Sequence, residues 1–295
     1  MRSSIFRLGS LAKTASLSLF LAGCSSAKFA IVNTPLLFSD VNVTRGIMFN
    51  KQHDLALDVY RPPADALKTG ATVKTVVFFH GGGWENGNRS QYAYVGARLA
   101  QSGYVAVVPD TRRYPEVLFP AFMHDAADAV AWVQANIGDY QGDPKDIVLM
   151  GHSSGAHIAA LLLADKSYLS AANASMAPLK GLIGLAGPYD FEPKDETYKK
   201  IFSTTTDYYE MKVTNYIDGS EPPMLLAYGL QDELVGEHNL RRLVGALEAE
   251  GVPYRTALYD DLNHTDLAAA FAWPYAGDSK VLADVLNFLK ATPDS

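Results

Sequence analysis

Six short runs, most of them almost uninterrupted apolar, punctuate the chain: "KTVVFFH" at 74–80, "YVAVVPD" at 104–110, "DIVLMGH" at 146–152, "GLIGLAG" at 181–187, "PMLLAYG" at 223–229 and "YRTALYD" at 254–260. A strand with one wet face alternates apolar and polar residues, so runs without alternation suit strands covered on both faces, as in a parallel sheet. Helical patterns lie between them. "FPAFMHDAADAVAWVQANIG" sets Phe122, Ala126, Ala129, Val130, Val133 and Ile137 on one helix face and stops at Gly138. "GAHIAALLLA", "NLRRLVGALEAEG" and "SKVLADVLNFLK" are further helices, and 41–49 and 55–60 read as two early strands, the second closed by Pro62 and Pro63. Such alternation predicts an α/β fold, a mostly parallel central sheet flanked by helices on both faces. Segment 188–222 breaks the rhythm. It is rich in Tyr, Asp, Lys and Thr and longer than an ordinary connection, so a functional lid and a peripheral excursion are both open.

The 295 residues are 48% hydrophobic, enough for a large core, and no internal repeat or second linker divides them. One domain over 41–295 is expected, with the lid-like insertion inside it. The formal net charge of -7 argues against a nucleic acid as partner, since that would call for a clustered basic face.

The first 23 residues differ in kind. Arg2, Arg7 and Lys13 precede an apolar stretch that is too short to span a membrane and suits a signal-peptide core. It ends in Leu21, Ala22, Gly23 and Cys24, which resembles the lipobox of bacterial lipoproteins. Cys24 is the only cysteine, so it has no internal disulfide partner. The resemblance implies acylation of Cys24, a tether over 24–40 and a lipid anchor in the bacterial cell envelope, with Ser25 pointing to the outer membrane.

Two motifs at strand ends carry the chemistry. The third strand runs into His80, Gly81, Gly82 and Gly83 ahead of Trp84, and the fifth ends in "GHSSG", Gly151 to Gly155, at the start of a helix. Consecutive glycines after a buried strand are expected where the backbone must take unusual dihedrals or approach something closely. G-x-S-x-G between strand and helix is a nucleophile elbow, with Ser153 pushed out of the sheet and small residues flanking it because bulk would clash.

From about Val41 to Lys290 the chain resembles the α/β-hydrolase serine carboxylesterases with an HGG or HGGG oxyanion loop. That branch includes feruloyl and acetyl-xylan-type esterases, kynurenine formamidase and methylesterases of prenylated substrates. The resemblance implies Ser153 as nucleophile, with backbone N–H groups of Gly82, Gly83 and Ser154 facing the oxyanion and His80 supporting the loop. It also implies an acid and a histidine following in that order. His264, in the loop after the last apolar run, fits the histidine. Asp232, Glu233, Asp260 and Asp261 compete for the acid; Asp232 is favoured as the first free position past its strand. A serine needs the imidazole to take its proton, and the imidazole needs the carboxylate to hold its tautomer.

His53, His124, His152, His157 and His238 are expected in structural or surface roles. No histidine or cysteine spacing forms a metal-ligand pattern, and neither metal nor cofactor is expected. Trp84 either walls an acyl pocket or packs the loop. The arginines of "TRRYPE" are expected to be structural or solvent-facing rather than substrate clamps, and the tyrosines of 188–222 either line a pocket or pack on the sheet. The implied activity is hydrolysis of a small-molecule carboxylic ester through an acyl-enzyme. An amidohydrolase of the kynurenine-formamidase type and a catalytically inactive surface binding protein are the alternatives. Cys24→Ser is expected to shift the protein from the membrane fraction to the soluble one or to stall its processing; unchanged labelling by radioactive palmitate would refute anchoring at that residue.

Overall fold

The computed structural model describes residues 33–34, 39–63, 65–66, 72–273 and 275–292. The signal-like segment, Cys24 and most of the expected tether lie outside the described residues. Within them the chain begins with β1 (Asn42–Asn50), β2 (Leu55–Arg61), β3 (Val73–Phe79), α1 (Ala93–Gln101), β4 (Val105–Pro109), α2 (Ala121–Asn136) and β5 (Gly142–His152). It continues with α3 (Ser154–Ala164), α4 (Ser167–Ala171), β6 (Leu179–Leu185), α5 (Glu196–Ile201), β7 (Met224–Gly229), α6 (His238–Glu250), β8 (Tyr254–Tyr259), α7 (Asp266–Ala269) and α8 (Lys280–Ala291). No helix among the described residues is long and apolar enough to cross a membrane.

The strands form one eight-stranded sheet in the order β1-β2-β4-β3-β5-β6-β7-β8. β2 pairs antiparallel with β1 and β4, and every other pairing is parallel. The apolar runs are explained by which way each residue points. In β3 and β5, Val77, Phe79, Ile147 and Leu149 enter one core with α2, α3, α4 and α6, while Val76, Phe78, Val148 and Met150 enter the other with α1, α7 and α8. A period of two survives, but both phases are apolar because helices cover both faces. All eleven residues of α3 are buried, as expected of a helix that is apolar all round.

Helix α1 has no counterpart in the sequence-based reading. Its interior Gly96 looks like a break, yet a Cβ there would collide with the Tyr60 ring, so the glycine is where the helix lies against β2. β5 starts four residues before its apolar run, because Gly142 pairs with Val73. The two edges of the sheet are irregular or charged. β1 has register shifts between Thr44 and Ile47 and between Met48 and Asn50, and exposed Arg255 of β8 bonds Asp284 at 2.8 Å.

Segment 188–222 carries α5 and a 3₁₀ turn at Val213–Asn215, and it is firmly packed. Ile201, Phe202, Met211 and Val213 are buried, and Phe119 N–H donates to Ile201 O at 2.9 Å. His157 of α3 ties this cover to the sheet. Its Nε2 donates to Met211 O at 2.7 Å, and burial lowers its pKa from 6.5 to about 4. Between those values the unfolded chain holds a proton that the folded chain refuses. Stability from this group is therefore complete above pH 6.5 and falls as the pH drops towards 4. His157→Gln keeps a donor and removes the titration, so its melting temperature should fall less than that of wild type between pH 7 and pH 4. Parallel melting-temperature profiles would contradict the assignment of this acid sensitivity to His157.

Candidate active site

Because β3 to β8 run parallel, the segments after β3, β5, β7 and β8 emerge at one edge of the sheet, where open α/β sheets bind their ligands. These four segments hold the glycine loop, Ser153, Asp232 and His264.

Ser153 sits between β5 and α3 with φ 55 and ψ -125, a conformation that costs a non-glycine residue about 1–3 kcal/mol. The elbow is held by its own backbone. Ser153 N–H donates to Leu185 O at 2.8 Å, and its carbonyl accepts from Ala156 N at 2.9 Å. Backbone crowding explains the flanking glycines: a Cβ on Gly155 would strike the carbonyl of Phe79, and one on Gly151 would strike the carbonyl of Gly155.

His264 and Asp232 meet directly, Nδ1 to Oδ2 at 2.7 Å, with both side chains nearly inaccessible. The other carboxylate oxygen accepts from Leu234 N and Val235 N, each at 2.9 Å. Burial on its own would raise the Asp232 carboxyl, but the bond and charge of His264 and the two N–H groups bring it below the usual value. Glu233, Asp260 and Asp261 are exposed. A Nδ1–H engaged with the carboxylate leaves Nε2 as the basic nitrogen of neutral His264. The two loops are also stitched by backbone. Gln231 N–H donates to Leu262 O and Gln231 Nε2 to Asp260 O, both at 3.0 Å. Asn263 and Asp266 cap one another reciprocally, at 2.9 and 3.2 Å, and so fix the turn that carries His264.

The sequence reading missed the part played by His152. Its Nε2 donates to the backbone carbonyl of His264 at 2.9 Å, and the two rings lie 4.9 Å apart. Burial, then the neighbouring His264, lowers its pKa to about 3, so it stays neutral and its Nδ1 carries a lone pair. A hydrogen bond one residue from the elbow serine thus holds the histidine loop. Nothing in the sequence marks this, because the acceptor is a carbonyl 112 positions away.

The glycine loop is tied down on several sides. Gly82 (φ +141) and Gly83 (φ +65) take dihedrals that suit glycine, and Gly82 O accepts from Asn86 N at 2.9 Å. Arg113 Nη1 donates to Gly87 O, and Tyr114 N to Trp84 O at 2.9 Å. Arg112 forks onto buried Asp125, so both arginines of "TRRYPE" are structural here. His80 Nδ1 bonds Gly81 O at 3.0 Å while Nε2 stands 3.9 Å from Asp110, which Arg89 bridges to Asp58. Burial holds the His80 pKa down. Trp84 is buried, stacked on Phe191 at 5.6 Å with Phe202, Tyr198 and His157 meeting it edge-on, so it packs the loop against the 188–222 cover.

Of the expected oxyanion donors, Ser154 N–H is the first of α3 and has no intrahelical acceptor. Gly83 N–H is engaged: it donates to Ser154 Oγ at 3.1 Å, an interaction the sequence did not suggest. Cys24 lies outside the described residues. Among the described residues no group of three or more His, Cys, Asp or Glu side chains is arranged to hold a metal.

Known proteins resemble this chain in sequence and in fold. A probable isoprenylcysteine alpha-carbonyl methylesterase of Oryza sativa subsp. japonica is 27% identical over 275 residues, 86% of this chain and 65% of that protein. Esterase LipQ of Mycobacterium tuberculosis is 28% identical over 72% of this chain and 55% of its own length. The chain therefore spans roughly three fifths of the length of such relatives. The structure of esterase B from Lactobacillus rhamnosis, inhibited by a tributyrin phosphonate, superposes with a TM-score of 0.73 at 19% identity, covering 91% of this chain and 96% of that one. The BD-FAE family matches residues 57–247, from within β2 to within α6, with β1, β8, α7 and α8 outside the match. With that match and the sheet order described above, the chain has the α/β-hydrolase fold and belongs to the BD-FAE family.

Proposed function

We propose that this chain is a carboxylic ester hydrolase that works through an acyl-enzyme on Ser153. The observation that carries the reading is the 2.7 Å contact between Asp232 and His264 at the sheet edge that also bears the strained Ser153 elbow. Ser153 Oγ attacks the carbonyl carbon while His264 Nε2 takes its proton, and Asp232 stabilises the resulting imidazolium. The oxyanion is met by backbone N–H groups of Gly82 and Ser154, each such donor worth about 2.7 to 4 kcal/mol when aimed at the developing charge, while Gly83 N–H, the third donor the resemblance implies, is bound to Ser154 Oγ in the free protein. The departing alcohol takes the proton from His264, and a water activated by the same nitrogen releases the acid. Support comes also from the esterase names of the relatives and from the phosphonate carried by esterase B. The substrate class is a small-molecule carboxylic ester. The proposed setting is the bacterial envelope, with Cys24 as lipid anchor.

A panel of nitrophenyl, feruloyl and acetyl-sugar esters together with formylkynurenine tests the reading and its amide alternative. Wild type should hydrolyse esters and take up a fluorophosphonate. Ser153→Ala should keep the melting temperature and lose nearly all turnover; retained turnover in clean protein refutes the nucleophile assignment. Asp232→Asn preserves shape and removes the charge that holds the tautomer, for which a loss of about a hundredfold or more is expected. Glu233→Gln, Asp260→Asn and Asp261→Asn should each lose less than about tenfold, and a larger loss in one of them would move the acid there.

A further inference from the structure

The engaged Gly83 N–H leaves the oxyanion arrangement one backbone donor short in the free protein. A side chain from the 188–222 segment stands over the same glycine. A Cβ built on Gly83 would lie 2.9 Å from Tyr198 Oη and 3.6 Å from Tyr198 Cζ, so the hydroxyl fills the space that a side chain at 83 would need. The ring is positioned, not loose. Trp84 meets it edge-on at 5.7 Å and 89°, and α5 is capped by Asp195, which accepts from Thr197 N at 2.7 Å. The next turn of chain buries Ile201 and Phe202. Among the described residues the Tyr198 hydroxyl has no hydrogen-bond partner. Burial, with the carboxylates of Glu85 and Asp195, raises its pKa, which keeps it a donor at neutral pH.

We propose that Tyr198 is a catalytic residue whose hydroxyl donates a hydrogen bond to the ester carbonyl oxygen as it becomes negative, substituting for the donor that Gly83 gives to Ser154. The proposal rests on the serine-esterase reading. A tyrosine that only packs would serve equally well as phenylalanine, since the ring against Trp84 is kept. A donor to the oxyanion acts in the transition state, so its loss appears in kcat and not in KM.

The test compares wild type and Tyr198→Phe for kcat and KM on nitrophenyl acetate and butyrate, for the rate of fluorophosphonate uptake, and for melting temperature. Tyr198→Phe should lose about tenfold or more in kcat and a similar factor in phosphonylation rate, with KM within about twofold and an unchanged melting temperature. Equal kcat and equal phosphonylation overturn the role. Unchanged kcat with a raised KM also overturns it, by assigning the hydroxyl to ground-state binding. These outcomes leave the esterase reading standing, whereas wild type that neither hydrolyses esters nor takes up the phosphonate overturns both.

Discussion

Where β3, β5 and the start of α3 converge, three stretches of backbone touch with no side chain between them. Gly155 lies on the carbonyl of Phe79, and Gly151 lies on the carbonyl of Gly155. That closeness decides much else. It draws α3 in at the end of β5, so the connecting residue has room only for a tight turn, and Ser153 takes a positive φ. It also sets the elbow against the last residue of β3, immediately before His80 and the glycine loop. Ser153 and the glycine loop are therefore placed relative to one another by main chain, whose positions vary less than those of side chains. Reactions that lose about a hundredfold in rate for an ångström of misplacement depend on such rigidity.

The opposite half of the site is assembled differently. Asp232 and His264 come from separate loops, and these are joined by their own contact, by Gln231 and by the Asn263–Asp266 cap. His152 closes the circuit by holding the His264 carbonyl from the residue beside the serine. A chain of buried polar contacts thus runs from the elbow to the acid, and it is satisfied almost throughout, as a water-poor site requires. Burial keeps His152 neutral, so it can serve as a fixed donor without competing with His264 for protons.

The sheet and its longer helices other than α1 were legible because they follow from short-range rules, apolar runs for covered strands and glycine for crowded backbone, whereas Asp232 and His264 were reached through the resemblance, which implies an acid and a histidine in that order, and their contact is a finding of the structure. What escaped was non-local. The α1 helix was missed, and only the structure explains its Gly96, which lies against the Tyr60 ring. The bond from His152 joins residues far apart in sequence, and no pattern around either announces it. Trp84 and the tyrosines of 188–222 had two open readings each, and only packing separated them: Trp84 is enclosed by rings from that segment, while Tyr198 turns its hydroxyl to the glycine loop. The engagement of Gly83 by Ser154 Oγ was equally invisible, since a serine after the nucleophile draws attention for its N–H and not for its hydroxyl.

An open sheet ends in two strands whose outer hydrogen-bonding groups have no neighbour, and such strands invite other chains to add on. The irregular register of β1 and the charged, salt-bridged Arg255 of β8 bear on that hazard. A bulged strand does not offer the evenly spaced donors and acceptors that an incoming strand would need, and a guanidinium would have to be stripped of water on contact. The same two features that make the margins of this sheet look imperfect are thus of the kind that deter an incoming strand.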